Sequence, residues 1–354
     1  MKIERDLAGR GTDGIPAAIR TGGLIFVDTC EGGEGDVATQ CRRAYATMVD
    51  RLSRCGVGTE NVARLDHYTE SQDWLAERQV IRAGYFGRPA AVASTGVAVR
   101  HNPPNQLSVA GIAVQDVTTK QLRVAGETYG MSAIASAVDV GDLVFISGIL
   151  NDGGRATVED SANEFSRQAR GCFLTIGSIL AQLDLTPANV VRQDIYIGES
   201  CSYEDLSGLL EVDDVFSSRA GRSGAKLPFG GCDLIEVTTI ASKHGALVSE
   251  APTTTTLGAT VRTSRFHFTD ACGDNVDAAV DNLVKRMEIA GISLDTLVRV
   301  DVCCSDREEL ARVRSAVSSS FAGVEPVVIA YRGQPLSGEA TGISAIAAHA
   351  ESST

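Results

Sequence analysis

The feature that most constrains this chain is a threefold internal repeat. Three strand-like runs carry the same Arg-x-Asp triplet: Val62-Ala63-Arg64-Leu65-Asp66, Val190-Val191-Arg192-Gln193-Asp194 and Leu297-Val298-Arg299-Val300-Asp301. An amphipathic helical pattern precedes each, over 37–55, 158–183 and 276–290, and a second helix follows, near 72–83, 203–216 and 307–321. Every unit opens on a hairpin pattern, with strands Leu24-Ile25-Phe26-Val27, Leu143-Val144-Phe145-Ile146 and Arg265-Phe266-His267-Phe268. Every unit closes on an apolar strand, through 109–114, 235–241 and 343–348. Strand, strand, helix, strand, helix, strand, strand is thus written three times in 354 residues.

The fold class follows from what each unit leaves uncovered. A sheet with two helices is protected on one face only, and its other face needs an apolar partner. Three such α+β units can bury those faces against one another as a pseudo-threefold, doing covalently what a homotrimer does by association. The expected units are 1–118, 119–248 and 249–354, joined by polar, aperiodic linkers over 115–129 and 249–257. Because the Arg-x-Asp signature recurs in all three, it is read as a repeated structural contact. His67-Tyr68 is expected just after a strand, in a packing role, and Cys303-Cys304 to pack at a strand end.

Charge narrows the partners. With 32 basic against 45 acidic residues the chain carries −13, so nucleic acid is not expected as a partner. No apolar run approaches a membrane span and the N-terminus has no signal-peptide core, which predicts a cytoplasmic protein without membrane contact. Nine cysteines without a CxxC pair fit reduced thiols, and the five histidines show no zinc-ligand spacing with them, so no metal is expected.

The middle unit carries a recognisable set of residues. Gly141-Asp142-Leu143-Val144-Phe145-Ile146-Ser147-Gly148, then Asn189 through Ile197, Gly221-Arg222-Ser223, Leu227-Pro228 and Ile235-Glu236-Val237 resemble the Rid (YjgF, endoribonuclease L-PSP-like) family in order and spacing. The resemblance implies chorismate-mutase-like units, a single-chain trimer mimic, and ligand pockets between units. It implies hydrolytic deamination of reactive imines and enamines without metal or cofactor. Arg222 would clamp a substrate carboxylate and Glu236 would position or activate water. Ser147 and Gly148 would line the pocket, with Cys232 a further lining candidate. The expected partner is a small carboxylate-bearing molecule in specialised biosynthesis. The chain is expected to stand as a monomeric pseudo-trimer, with further dimerisation open.

The outer units depart from this pattern. The arginine position falls on or near Ala91 in the first unit and near Val328 in the third, and the glutamate position on Ser108 and Gly342. Asp28-Thr29 and Thr269-Asp270 replace the Ser-Gly pair, and the family's pocket tyrosine falls near Ile134, with Tyr129 close by. One specialised site is therefore expected, pairing the Arg222 face with the first or the third unit. Arg100-His101-Asn102 and Tyr331-Arg332 are read as solvated loops. Alternatives are a non-catalytic binding or regulatory protein, a chorismatase-like enzyme, and a ring-opening amidohydrolase. The last needs a lysine and serine pair in each unit, and Lys2, Lys120, Lys226, Lys243 and Lys285 do not recur at equivalent positions.

Overall fold

The computed structural model describes residues 1–11, 13–71, 75–87, 92–101, 105–123, 135–150, 164–202, 204–206, 221–228, 234–245, 247–249 and 260–349. The first unit contains β1 (Ala18–Thr21), β2 (Leu24–Glu31), α1 (Val37–Arg54), β3 (Val62–Thr69), α2 (Leu75–Phe86), β4 (Ala93–Ala98) and β5 (Leu107–Val114). The second contains β6 (Lys120–Arg123), β7 (Ala137–Val140), β8 (Leu143–Leu150), α3 (Glu164–Gln182), β9 (Val190–Gly198), β10 (Gly221–Leu227) and β11 (Ile235–Ser242). The third contains β12 (Leu247–Ser249), β13 (Thr260–Arg262), β14 (Phe266–Gly273), α4 (Val276–Ile289), β15 (Leu297–Cys304), α5 (Arg307–Ser320), β16 (Val327–Arg332), β17 (Gln334–Pro335) and β18 (Thr341–Ala348).

The sheets run β1-β2-β5-β3-β4, β17-β10-β9-β11-β8-β7-β6 and β12-β13-β14-β18-β15-β16. Within each, one strand pair is parallel (β3/β4, β9/β10, β15/β16) and its neighbours are antiparallel, so the sheets are mixed. The three-unit α+β architecture expected from the repeats is the architecture observed. Of the expected helix over 203–216, Glu204–Leu206 is helical and the remainder lies outside the described residues. Part of the expected first linker is ordered as β6, hydrogen-bonded to β7.

Local chemistry explains the element ends. Asp36, Asn275 and Asp306 cap α1, α4 and α5, their side chains accepting from Thr39 N, Ala278 N and Glu308 N. A short 3-10 turn precedes each Arg-x-Asp strand. In the first two, Asn61 and Asn189 donate to Val114 O and Ser242 O, tying the turn to the closing strand.

Packing has two levels. Each sheet buries its outer face under its own helices, around Met48 and Leu52 in the first unit, Phe173 and Ile176 in the second, and Leu283 and Met287 in the third. Each such side chain contributes about 1.5–3 kcal/mol on burial. A fourth cluster draws residues from all three sheets onto the common axis, including Phe26, Phe145 and Phe266, and Phe26 meets Phe266 edge-on at 5.8 Å. The inner faces thus cover one another. His67 and Tyr68 lie inside β3 and are fully buried, rather than following a strand. Tyr331 belongs to β16 and the axial cluster, not to a solvated loop.

Candidate functional site

The units meet in cyclic order. The edge strand β4 of the first packs on β8 of the second, β10 of the second on β14 and β18 of the third, and β16 of the third on β2 of the first. At the centre the Arg-x-Asp residues close a ring. Arg64 donates to Asp66 at 2.7 Å and to Asp194 at 3.3 Å, Arg192 to Asp194 at 2.8 Å and to Asp301 at 3.1 Å, and Arg299 to Asp301 and Asp66 at 2.7 and 2.8 Å. Each guanidinium joins its own carboxylate to that of the next unit. The signature is a structural contact repeated three times, on which the three interfaces are hung.

Those interfaces have diverged. Between the third and first units, Arg314 of α5 reaches Asp28 at 2.7 Å, Val328 N donates to Asp28 at 2.9 Å, and Thr29 donates to Val328 O. An ion pair and hydrogen bonds bridge that interface.

Between the first and second units, Ser147 accepts from Ser94 N at 2.9 Å and donates to Ala135 O at 2.6 Å. Glu236, 2 % exposed, accepts from the Thr95 hydroxyl and from Gly96 N at 3.3 Å, both on β4 of the first unit. Gly148 makes this approach possible, since a Cβ there would overlap Glu236 Oε1. Gly148→Ala should therefore displace Glu236 and destabilise the protein by about 1–3 kcal/mol, read by thermal unfolding. Behind Thr95, burial and the charges of Arg78 and Arg82 push His67 far below the usual imidazole range, so it is neutral. Thr95 O can only accept, so the His67 proton sits on Nδ1 and Nε2 accepts from Tyr45 Oη at 3.0 Å.

Between the second and third units lies a narrow cavity of about 40 Å³. Tyr196 and Gly224 of the second unit and Asp270, Arg286, Tyr331 and Ser344 of the third contribute to its lining. One wall is a strap: β17 pairs antiparallel with β10, Leu336 N donates to Gly224 O at 3.1 Å, and Leu336 enters the second unit's core. Asp270 is 8 % exposed, and its Oδ1 accepts from Ser344 Oγ at 2.6 Å. Arg286 donates to the Asp270 carbonyl, also at 2.6 Å. Burial pushes the Asp270 carboxyl up to about 6, against the opposing influence of Arg192 and of the Ser344 hydrogen bond.

The expected site residues divide between two interfaces. Ser147, Gly148 and Glu236 gather at the first–second interface. Arg222 stands on β10, which faces the third unit, its Cα opposite Gln193 of β9, whereas the Glu236 Cα is opposite Tyr196 on the other side of that strand. Two strand spacings and three residues of rise separate the two Cα atoms by ~14 Å. The two residues thus stand on different borders of the second unit. The Arg222 side chain and Cys232, Ile134 and Tyr129 lie outside what is described.

Register also corrects two equivalences. Ser94, not Ala91, takes the Arg222 position, because Ser94 pairs with Leu65 as Arg222 does with Gln193, one residue after the signature arginine. Val328 holds that position in the third unit, and Ser108 and Gly342 match Glu236. In the first two units Asp28-Thr29 and Ser147-Gly148 form bulges between regular pairs. The third unit has no bulge there: Asp270 alone stands opposite Ser344. The second unit thus has glycine on its opening strand and glutamate on its closing strand, while the third has Asp270 and Gly342. Sequence reading named Asp270 only as half of a replaced pair. The missed signal was an aspartate in an apolar strand beside a unit that had exchanged its glutamate for glycine.

No family model matches the chain, and no curated protein matches it. Among solved structures it is similar to a member of the YjgF/YER057c/UK114 family from Mycobacterium tuberculosis, at 23% identity over 32% of this chain and 99% of that one, TM-score 0.29. It is similar to E. coli TdcF, solved with bound serine, at 15% identity over 33% of this chain and 99% of that one, TM-score 0.29. A chorismatase matches at 18% identity over 66% of this chain and 78% of that one, TM-score 0.47. No helix among the described residues is long and apolar enough to cross a membrane, and no cluster of three metal-ligating side chains occurs among them.

Proposed function

We propose that the chain is a Rid-like, cofactor-free enzyme that hydrolyses a small carboxylate-bearing imine or enamine to a carbonyl compound and ammonia, at the interface of the second and third units. The observation that supports this reading is the cavity there. Charged and hydroxyl-bearing side chains converge there beside apolar ones, a lining suited to a small polar ligand, and Arg222 stands on its border strand two residues before Gly224. Arg222 clamps the substrate carboxylate through its planar fork. Water is the only co-reactant needed.

A second reading keeps the chemistry at the first–second interface, favoured by the gathering of Ser147, Gly148 and Glu236 there and by Arg78, whose guanidinium lies against Gly96. Ammonia release from an imino acid generated by an amino-acid oxidase separates the two. The expected result is acceleration that collapses in Arg222→Ala. Collapse in Glu236→Gln with Arg222→Ala unaffected would move the site to the other interface, and no acceleration by wild type would end the deaminase assignment.

A further inference from the structure

We infer that Asp270, oriented by Ser344 at the second–third cavity, is the acid–base residue of this site in place of Glu236. The inference rests on the function proposed above and adds a residue from the opposite strand of the neighbouring unit. Its basis is geometric. Asp270 lines the cavity, Ser344 fixes Oδ1, and Oδ2 is buried with no hydrogen-bond partner among the described residues. A buried carboxyl oxygen without a partner is costly unless it carries a proton or meets a ligand group.

The surroundings favour a proton that comes and goes. The charged groups facing Asp270 are Arg192 and Asp194 from β9, Arg286 from α4 and Asp301 from β15. Arg192, itself shared between Asp194 and Asp301, is the main opposing cation, and Arg286 is bonded to the Asp270 carbonyl. The other titratable neighbours are Cys272 on the same strand and Tyr196, Tyr331 and Cys303, which burial holds neutral. With its titration near 6, Asp270 can serve as acid and base in one cycle.

The steps balance around one carboxyl. Protonated Asp270 gives its proton to the imine nitrogen. Water adds to the carbon and returns a proton to the carboxylate, leaving a carbinolamine. The same proton then moves to the amine nitrogen, and the C–N bond breaks with its electron pair leaving on ammonia. The hydroxyl proton passes back to Asp270 as the C=O bond forms, so one water is consumed and the carboxyl is restored.

The test is steady-state ammonia release across pH for wild type, Asp270→Asn and Ser344→Ala, with 2-oxobutanoate binding as a second readout. Asp270→Asn keeps the shape and is expected to lower kcat by about 100-fold or more while 2-oxobutanoate still binds. Wild-type kcat/KM should fall as pH rises through about 6, because the first step needs the protonated acid. Ser344→Ala removes a hydrogen bond that lowers this titration, so its profile should shift to higher pH. An Asp270→Asn enzyme with wild-type kcat, or an unshifted Ser344→Ala profile, would overturn the inference while leaving the deaminase reading intact. Absence of turnover by wild type would overturn both.

Discussion

Replacing Asp66 by alanine is expected to cost about 3–5 kcal/mol of stability, seen as a lower urea midpoint. Asp66 is completely buried and is shared by Arg64 of its own unit and Arg299 of the third. Its removal leaves two guanidinium groups at the axis short of a counter-charge, where water cannot replace it. The loss should also be visible as acid sensitivity in the wild type. Burial alone would raise the Asp66 carboxyl, but Arg64 and Arg299 outweigh it and hold it below the usual carboxylate range. A depressed folded-state value contributes stability above the unfolded value of ~3.9 and loses it as pH falls through the folded value. Wild-type stability should therefore drop below about pH 4, and that part of the drop should be missing in Asp66→Ala. A midpoint unchanged by the substitution would mean that the ring contributes nothing.

The second large loss is expected from Gly224→Ala. Gly224 pairs with Ile195 across β9 and β10, and a Cβ at this position would overlap the Ile195 carbonyl oxygen and press on Leu336 of the strap at 2.8 Å. A backbone carbonyl cannot swing aside as a side chain can, so β10 must separate from β9 or the strap must lift. Either costs about 1–3 kcal/mol and deforms the cavity at once. Ammonia release should fall with stability. Gly84 of α2 makes the control, since its added methyl meets nothing within 4 Å. There the same change should stabilise by up to ~1 kcal/mol through helix propensity. Equal effects at the two positions would rule out the overlap as the cause.

The architecture was legible because its signals are periodic and local. Helical spacing marked α1, α4 and α5 to within a residue or two, and a charged triplet embedded in three apolar strands could hardly serve anything but a shared interior contact. The site was legible in residue types but not in placement. Which unit faces which depends on the cyclic order of docking, and no residue in β10 or β11 states that order. Ser147, Gly148 and Glu236 come together because β8 and β11, distant in sequence, are neighbours in the sheet. Arg222 and Glu236 lie on strands consecutive in sequence, but β9 separates them in the sheet, a crossover that sequence order does not show. The third unit was misread by a single residue: without the bulge, the pair Thr269-Asp270 is not a pair, and the side chain that lines the cavity is the aspartate alone. Bulges change which side chains share a face, and one sequence does not announce them.

The closure of the central ring, Arg299 of the third unit returning to Asp66 of the first, has a consequence for dose. In an assembly of separate chains every interface dissolves on dilution, and a site built across it dissolves too. Here the partners are tethered, and their mutual effective concentration is set by the linkers rather than by abundance. A site at the second–third interface would therefore work equally well in a cell holding few copies or many. It would also need to be invented only once per molecule, leaving the other two interfaces free to become pure fasteners.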